Sequence, residues 1–486
     1  MHFSIPDTQE FLDAASNTYV GYNIHINGLF HCTVRYKQLL NLHEQLVKDV
    51  DIPLPTFPPK KFFPLTMTQQ EERRVGLEKY IQTIGQDPVI NSSELLNGFL
   101  LNAQQEAVNG PFENEYLDVF LSNDYKITIN VSTKENSGQV LKKVYDRIML
   151  LNHLHHYFAL FIIVQEDNNA IVLRKLQDFE SPVITYKNMC TLGIRVVLGR
   201  NYWDIEHDLE ILDDSVGLSL LYNQTVAEIQ RGWILITDEV QNCLENLQKN
   251  ETKKEYMKIA RTLKYYGYVQ FIPCFCDYPQ SESKVIIAIG KNELNLRVLT
   301  SDDKPQEIAF KVTRMRCWRI TTSQNGIDRY NHHDHFNLEL SFEYLIAKNQ
   351  LQWITISSDQ AILMSVCLQS MIDELLLKST DGNKHQCIYF QEPQKKSWTY
   401  IMRDGHSRIV MGAGPIENIE EKQQDEVHST TGVEPIIKKL TDRLSIMKLK
   451  KSSDDKTIVY KHERGRTREC GIVENNAFYT IGDEDL

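Results

Sequence analysis

Apolar positions change period several times along the chain, and each change marks an element. Tyr22, Ile24 and Ile26 alternate with polar residues, Asn27-Gly28 follows, and Phe30, Cys32 and Val34 alternate back. Period-two alternation about Asn-Gly predicts a β-hairpin closed by a type I′ turn. Leu39, Leu40, Leu42 and Leu46 then recur at helical spacing. Residues 52–59 read as a proline-rich extended loop. A helix from Thr68 to about Thr83 follows, with Leu77, Tyr80, Ile81 and Ile84 inward, and Asp87-Pro88 ends it. Leu95, Leu96, Phe99 and Leu100 place a last helix, which closes a first unit at residues 1–106.

The pattern restarts at 115. Leu117, Phe120, Ile127, Ile129 and Val131 predict a hairpin about Ser122-Asn123-Asp124. A helix over 137–150 and strands over 158–164, 170–176 and 194–198 complete a small α+β unit at 115–203. A helical unit fills 204–267. One helix carries Val216, Leu220, Val226 and Ile229, and another Val240, Cys243, Leu244 and Leu247. A third opens at a capping box, Thr252 to Glu255. From 268 to 378 seven strands are expected, over 269–275, 285–289, 294–299, 308–312, 317–321, 337–342 and 351–356. A closing helix carries Ile362, Val366, Ser370, Asp373 and Leu376. Residues 379–486 form a tail, largely disordered over 380–475 by its thin, polar pattern. Its exception is a short helix near 435–449, where Pro435 precedes Ile436, Ile437, Leu440, Leu444 and Met447. That stripe suits an interaction helix, or one folding back on the preceding units, better than a membrane anchor. The fold class is α+β, in several domains.

Composition narrows the function. The 486 residues carry a net charge of −12, which argues against a general nucleic-acid binder. Nine scattered cysteines form no CxxC pair, only Cys274-Phe275-Cys276, a pattern of reduced thiols in the cytoplasm. No apolar run reaches the ~20 residues of a membrane-spanning helix. The start, Met1-His2-Phe3-Ser4-Ile5-Pro6, is not expected to be a signal peptide. His332-His333-Asp334-His335 lacks partners at ligand spacing, so no metal is expected. Met411-Gly412-Ala413-Gly414-Pro415 has no strand-helix frame of a phosphate loop. No GxxxxGK[ST], HExxH or GxSxG occurs, and no catalytic residue or cofactor is expected.

One constellation does carry chemistry. Arg35-Tyr36, Phe57-Pro58-Pro59-Lys60-Lys61 and Arg73-Arg74 place three basic points about a stiff proline turn. Arginine offers phosphate a planar, permanently charged fork. Lys61 and Arg74 are expected as flanking charges. Phe62, Phe63, Pro64 and Leu65 fit either an interface-inserting loop or core, and the sequence favours neither.

The order of units resembles a known family. Residues 1–106, with Arg35-Tyr36, the Pro-Pro turn and Arg73, resemble a phox-homology (PX) domain. Residues 115–378 resemble a FERM domain: a ubiquitin-like lobe (115–203), a helical lobe (204–267) and a phosphotyrosine-binding-like (PTB-like) lobe (268–378). PX followed by such a FERM domain is the layout of the sorting nexin 17, 27 and 31 family. Leu42-His-Glu-Gln-Leu46, Leu77-Glu-Lys-Tyr80, Arg231-Gly-Trp-Ile-Leu235, Val312-Thr-Arg-Met-Arg-Cys-Trp-Arg319 and Cys367-Leu-Gln-Ser-Met371 support it. With no PDZ domain ahead of Met1, the likeness is expected to lie with the 17 and 31 branches, which these strings do not separate.

The resemblance implies an endosomal sorting adaptor, not an enzyme. It would sit peripherally on the cytosolic face of early endosomes and promote receptor recycling to the cell surface, away from lysosomal degradation. It implies phosphatidylinositol 3-phosphate binding, with Arg35 on the 3-phosphate, Tyr36 against the inositol ring, Lys60 on the 1-phosphate and Arg73 on the ring hydroxyls. It implies capture of NPxY or NxxY receptor tails, of integrin and lipoprotein-receptor type. Arg316, Trp318 and Ile320 on a strand, and Met364, Cys367, Leu368 and Met371 on the closing helix, would line that groove, with the flat face of Trp318 receiving the peptide turn. The ending Ile481, Gly482, Asp483, Glu484, Asp485 and Leu486 resembles a tail that binds the Retriever/Commander recycling coat. Whether the first FERM lobe binds a Ras-type GTPase stays open. The competing reading is a FERM-type membrane–cytoskeleton linker or signalling scaffold.

Overall fold

The computed structural model describes residues 1–12, 16–61, 63–108, 114–166, 169–189, 191–299, 306–322, 338–380, 397–412, 468–469 and 472–480. The 435–449 helix, the 332–335 histidines and the 481–486 ending therefore lie outside the described residues.

Strands β1 (Phe3–Ser4), β2 (Thr8–Leu12), β3 (Thr18–Ile26) and β4 (Leu29–Arg35) form an antiparallel sheet. Asn27 and Gly28 close β3–β4 at φ 49° and 85°, the left-handed pair a type I′ turn requires. Helices α1 (Tyr36–Asp49), α2 (Met67–Gln86), α3 (Pro88–Asn91) and α4 (Glu94–Glu106) cover it. Leu39, Leu42 and Leu46 of α1 join Leu77, Tyr80 and Ile81 of α2 in one core with Ile24, Cys32 and Phe99. Thr66 caps α2 in a capping box with Gln69.

Arg74 is a correction to the flanking role expected of it. It is 2% exposed, donates to the Ile5 carbonyl and forks onto Glu71, with Glu78 at 3.3 Å. Neighbouring residues on a helix point about 100° apart. Arg73 and Arg74 therefore serve different surfaces.

In the second unit, β5 (Asn114–Phe120), β6 (Lys126–Ser132), α5 (Ser137–Ile148), β7 (Phe158–Glu166), β8 (Asn169–Lys175), α6 (Pro182–Lys187) and β9 (Ile194–Arg200) build a sheet of order β6-β5-β9-β7-β8. Helices α7 (Asp208–Ile211), α8 (Ser215–Gln230), α9 (Asp238–Lys249) and α10 (Lys253–Ala260) share its core through Leu221, Leu244, Tyr256 and Met257. The expected capping box at Thr252 does not form. Its hydroxyl donates instead to the Leu247 carbonyl at 3.1 Å.

The third lobe holds β10 (Val269–Gln270), β11 (Cys274–Cys276), β12 (Ser283–Gly290), β13 (Glu293–Val298), β14 (Glu307–Lys311), β15 (Met315–Thr322), β16 (Leu338–Ala347) and β17 (Gln350–Ser357), closed by α11 (Ala361–Thr380). The strand expected over 269–275 is two strands. Pro273 stands between them and has no N–H to give a ladder.

The tail is the main correction. A hairpin, β18 (Ser397–Ile401) with β19 (Ser407–Met411), buries Trp398, Tyr400 and Val410 in the core of the first domain. Farther on, β20 (Arg468–Glu469) and β21 (Val473–Glu474) add to β15, and a 3-10 turn covers Asn476–Thr480. Trp398 and Tyr400 alternate with Ser397, Thr399 and Ile401. That is a strand pattern, but its partner surface lies over 290 residues earlier, beyond any local signal.

The first domain and the second unit share side chains. Gln104 of α4 accepts from Ser181 N–H at 2.8 Å and donates to Thr185 Oγ1 at 2.9 Å. Phe179 is buried in the first domain's core, edge-on to His31 at 5.7 Å. Its loop is tied down by Glu180, fully buried, which receives both Nη atoms of Arg174 at 2.6 Å. A buried fork of this kind costs desolvation and fixes geometry.

Candidate functional site

Two surfaces collect the residues singled out in the sequence. The first lies where β4 ends and α1 begins. Arg35 is the residue before α1, extended at φ −84° and ψ 155°, and Gln38 Oε1 accepts its N–H at 2.8 Å. Its guanidinium lies 3.7 Å from the centroid of the Tyr19 ring. Arg73, from α2, lies 4.4 Å over the Tyr36 ring. Such stacking holds a cation in place without neutralising it. The Tyr36 hydroxyl donates to the Pro58 carbonyl at 2.7 Å, and burial raises its pKa. That bond anchors the Pro-Pro turn to the start of α1. Phe57 stacks on His43 at 5.0 Å and meets Tyr80 edge-on at 4.9 Å. Gly76 lets α2 approach the turn: a Cβ there would stand 3.0 Å from Pro58 Cγ.

Arg35, Tyr36 and Arg73 are thus brought together, and Lys60 is exposed on the loop beside them. The Tyr36 face expected to meet a ring carries Arg73. Arg73 Nη2 has no partner among the described residues. Phe63 is 84% exposed and Met67 83%, so Phe63 is not core. Phe62 lies outside the described residues.

The second surface is the cleft between β15 and α11. Trp318 is a correction. It is fully buried, its indole N–H donating to Ser365 Oγ of α11 at 2.9 Å. Its flat face belongs to the lobe's core, together with Ile320, Met364, Cys367, Leu368 and Met371. These residues form the floor of the cleft. Arg316 stands half exposed at the rim, paired with Glu343.

The chain's own tail fills this cleft. Val473 pairs with Trp318 and Glu474 with Cys317, in antiparallel register. Asn475 is 1% exposed. Its amide donates to the carbonyls of Val312 at 2.7 Å and Met315 at 2.6 Å, and its N–H to Arg316 O at 3.0 Å. Its Oδ1 accepts from Ala477 N–H at 2.9 Å, which starts the 3-10 turn, and Ala477 is fully buried in the cleft's apolar cluster. Val473, Asn475 and Ala477 were not singled out in the sequence. The available signal was Asn475-Asn476-Ala477-Phe478, an Asn-x-x-aromatic spacing.

Comparison with known proteins identifies the domains that carry these surfaces. The PX domain model matches residues 22–103. The sorting nexin 17/27/31 FERM F1 lobe matches 115–203, the sorting nexin 17/31 F2 lobe 204–264, and the sorting nexin 17 FERM C-terminal domain 267–376. The chain is 41% identical to sorting nexin-17 of Danio rerio and 39% identical to that of Homo sapiens, each match covering 100% of both chains. It is 34% identical to sorting nexin-31 of Homo sapiens, over 87% of this chain and 99% of the relative. The chain belongs to the PX–FERM sorting nexins, the non-catalytic endosomal sorting adaptors that include sorting nexins 17 and 31.

Proposed function

We propose that the chain joins phosphatidylinositol 3-phosphate on early endosomes to NPxY or NxxY motifs in receptor tails, and so returns those receptors to the cell surface. Arg35 and Arg73 would hold the headgroup by charge-assisted bonds, with Lys60 reaching the 1-phosphate from the proline loop. Phe63 and Met67 would enter the bilayer interface beside it. Receptor tails would add a strand to β15, with an asparagine at the position of Asn475 and the following turn against α11. Residues 481–486 would engage the Retriever/Commander coat.

The observation that carries the peptide reading is the seated tail. Strand addition at β15, capped by a buried asparagine and a 3-10 turn, occurs within the chain itself. Tail and receptor peptide would use the same strand edge, so they exclude one another. The test compares the full chain with a chain lacking 468–486, titrated with an NPxY peptide by calorimetry. The shortened chain is expected to bind several-fold tighter. Equal affinity would place cargo elsewhere. For lipid, Arg35→Gln is expected to abolish capture by liposomes containing phosphatidylinositol 3-phosphate, and undiminished capture would remove Arg35 from the site.

A further inference from the structure

Arg35 is held at both ends by one closed circuit of hydrogen bonds, which runs through a hairpin 368 residues farther along the chain. The circuit starts at its backbone N–H, accepted by Gln38 Oε1 at 2.8 Å. Gln38 Nε2 donates to Glu106 Oε2 at 2.9 Å and to the Tyr400 hydroxyl at 3.0 Å. That hydroxyl donates to Glu106 Oε2 at 2.8 Å. Glu106 Oε1 accepts the backbone N–H of Arg403, in the β18–β19 turn. Finally the Arg403 carbonyl accepts from Arg35 Nη1 at 2.6 Å.

Gln38 is 1% exposed and Tyr400 0%. Bonds in such a dry network are stronger than their counterparts in water, and losing one member leaves others unsatisfied.

We infer that the β18–β19 hairpin is a positioning element of the phosphoinositide site. Glu106, Gln38 and Tyr400 act through the Arg403 carbonyl to hold the Arg35 guanidinium ready for phosphate. This rests on the reading of Arg35 given above. An arginine side chain left alone samples many rotamers, and binding must then supply the ordering. Here the Tyr19 ring fixes the plane of the guanidinium and the Arg403 carbonyl fixes its rotation. A guanidinium has five N–H donors, and the carbonyl engages Nη1. Because the carbonyl is neutral, the full positive charge stays available to an anion.

Glu106, Tyr400 and Arg403 are therefore positioning residues, and none need touch the ligand. The hairpin belongs to the site, although it lies beyond the whole FERM domain in sequence.

The test uses the full chain and liposomes of phosphatidylcholine with or without phosphatidylinositol 3-phosphate, read by surface plasmon resonance. Glu106→Ala is expected to weaken binding about tenfold by releasing the Arg403 turn, a preorganisation effect. Tyr400→Phe keeps the ring in the core and removes only the hydroxyl, and about threefold is expected. Glu106→Gln keeps one acceptor, for the Arg403 N–H, but turns a donor toward Gln38 Nε2, so it should recover only part of what Glu106→Ala loses. Affinity for an NPxY peptide serves as the control and should not move.

Wild-type lipid affinity in both Glu106→Ala and Tyr400→Phe would overturn the inference. Tighter binding would also overturn it, because the carbonyl would then be competing with phosphate. If Glu106→Ala does not fold, Tyr400→Phe decides alone. If the unmodified chain ignores the phosphoinositide, the reading of Arg35 itself fails, a result distinct from a variant that matches a binding wild type.

Discussion

Trp318 donates its indole N–H to Ser365 at 2.9 Å, so the largest side chain of β15 is pinned to the helix it faces. This makes it a stability residue first. Trp318→Ala is expected to destabilise the third lobe by about 3–5 kcal/mol, the cost of a large core cavity. Ser365→Ala, losing one bond, should cost about 1 kcal/mol. Urea unfolding of the full chain measures both. Near-wild-type stability in Trp318→Ala would return the indole to the peptide surface.

Asn475 is the residue whose loss should free the cleft. Its amide makes two bonds to carbonyls of the lobe, each worth about 1 kcal/mol net. Asn475→Ala in the full chain is expected to raise the affinity of an NPxY peptide about tenfold, with the melting temperature little changed. Calorimetry reads this, and an unchanged dissociation constant would mean the tail does not compete.

The exposed Phe63 predicts a bilayer-specific effect. Phe63→Asp should weaken binding to phosphatidylinositol 3-phosphate liposomes about tenfold, the scale of burying one large apolar side chain. Binding of soluble inositol 1,3-bisphosphate should stay constant, since that ligand offers no bilayer. Equal losses for both would place Phe63 in headgroup recognition instead.

Buried histidines predict an acid-sensitive first domain. Burial pushes His31 down to about 4 and does the same to His2. Both are neutral when folded, whereas the unfolded chain takes up protons near 6.5. The stability they permit is therefore complete above about pH 6.5. It falls by up to about 1.4 kcal/mol per pH unit per histidine down to pH 4. His31→Gln should flatten part of that slope in denaturant titrations, and an unaltered slope would rule His31 out.

Local signals in the sequence were strong where local chemistry decides structure. Asn27-Gly28 dictated its turn, and the leucines of α1 dictated their buried face. The juxtaposition of Arg35, Tyr36 and the Pro-Pro turn was legible from family likeness. What was not legible depends on distant partners. Arg73 and Arg74 look alike in sequence, and only the packing of α2 on Ile5 separates them. Trp318 gives no local sign of which way it faces. The 397–401 alternation reads as a strand, but the α1 and α4 surface that stabilises it lies far away in the chain. Asn475 carried a readable spacing, but only the edge of β15 on which the tail is seated gives that spacing meaning.

The side chains shared across the domain boundary, Gln104 with Ser181 and Thr185 and Phe179 within the first domain's core, tie the domain that carries Arg35 to the lobes that follow. If the proposed lipid and peptide sites are used together, that tie would make their separation a gauge. A receptor tail would then need enough chain between bilayer and motif to span it, at about 3.3 Å per extended residue. Shortening that stretch of a tethered receptor tail should leave binding intact down to a threshold length and abolish it below.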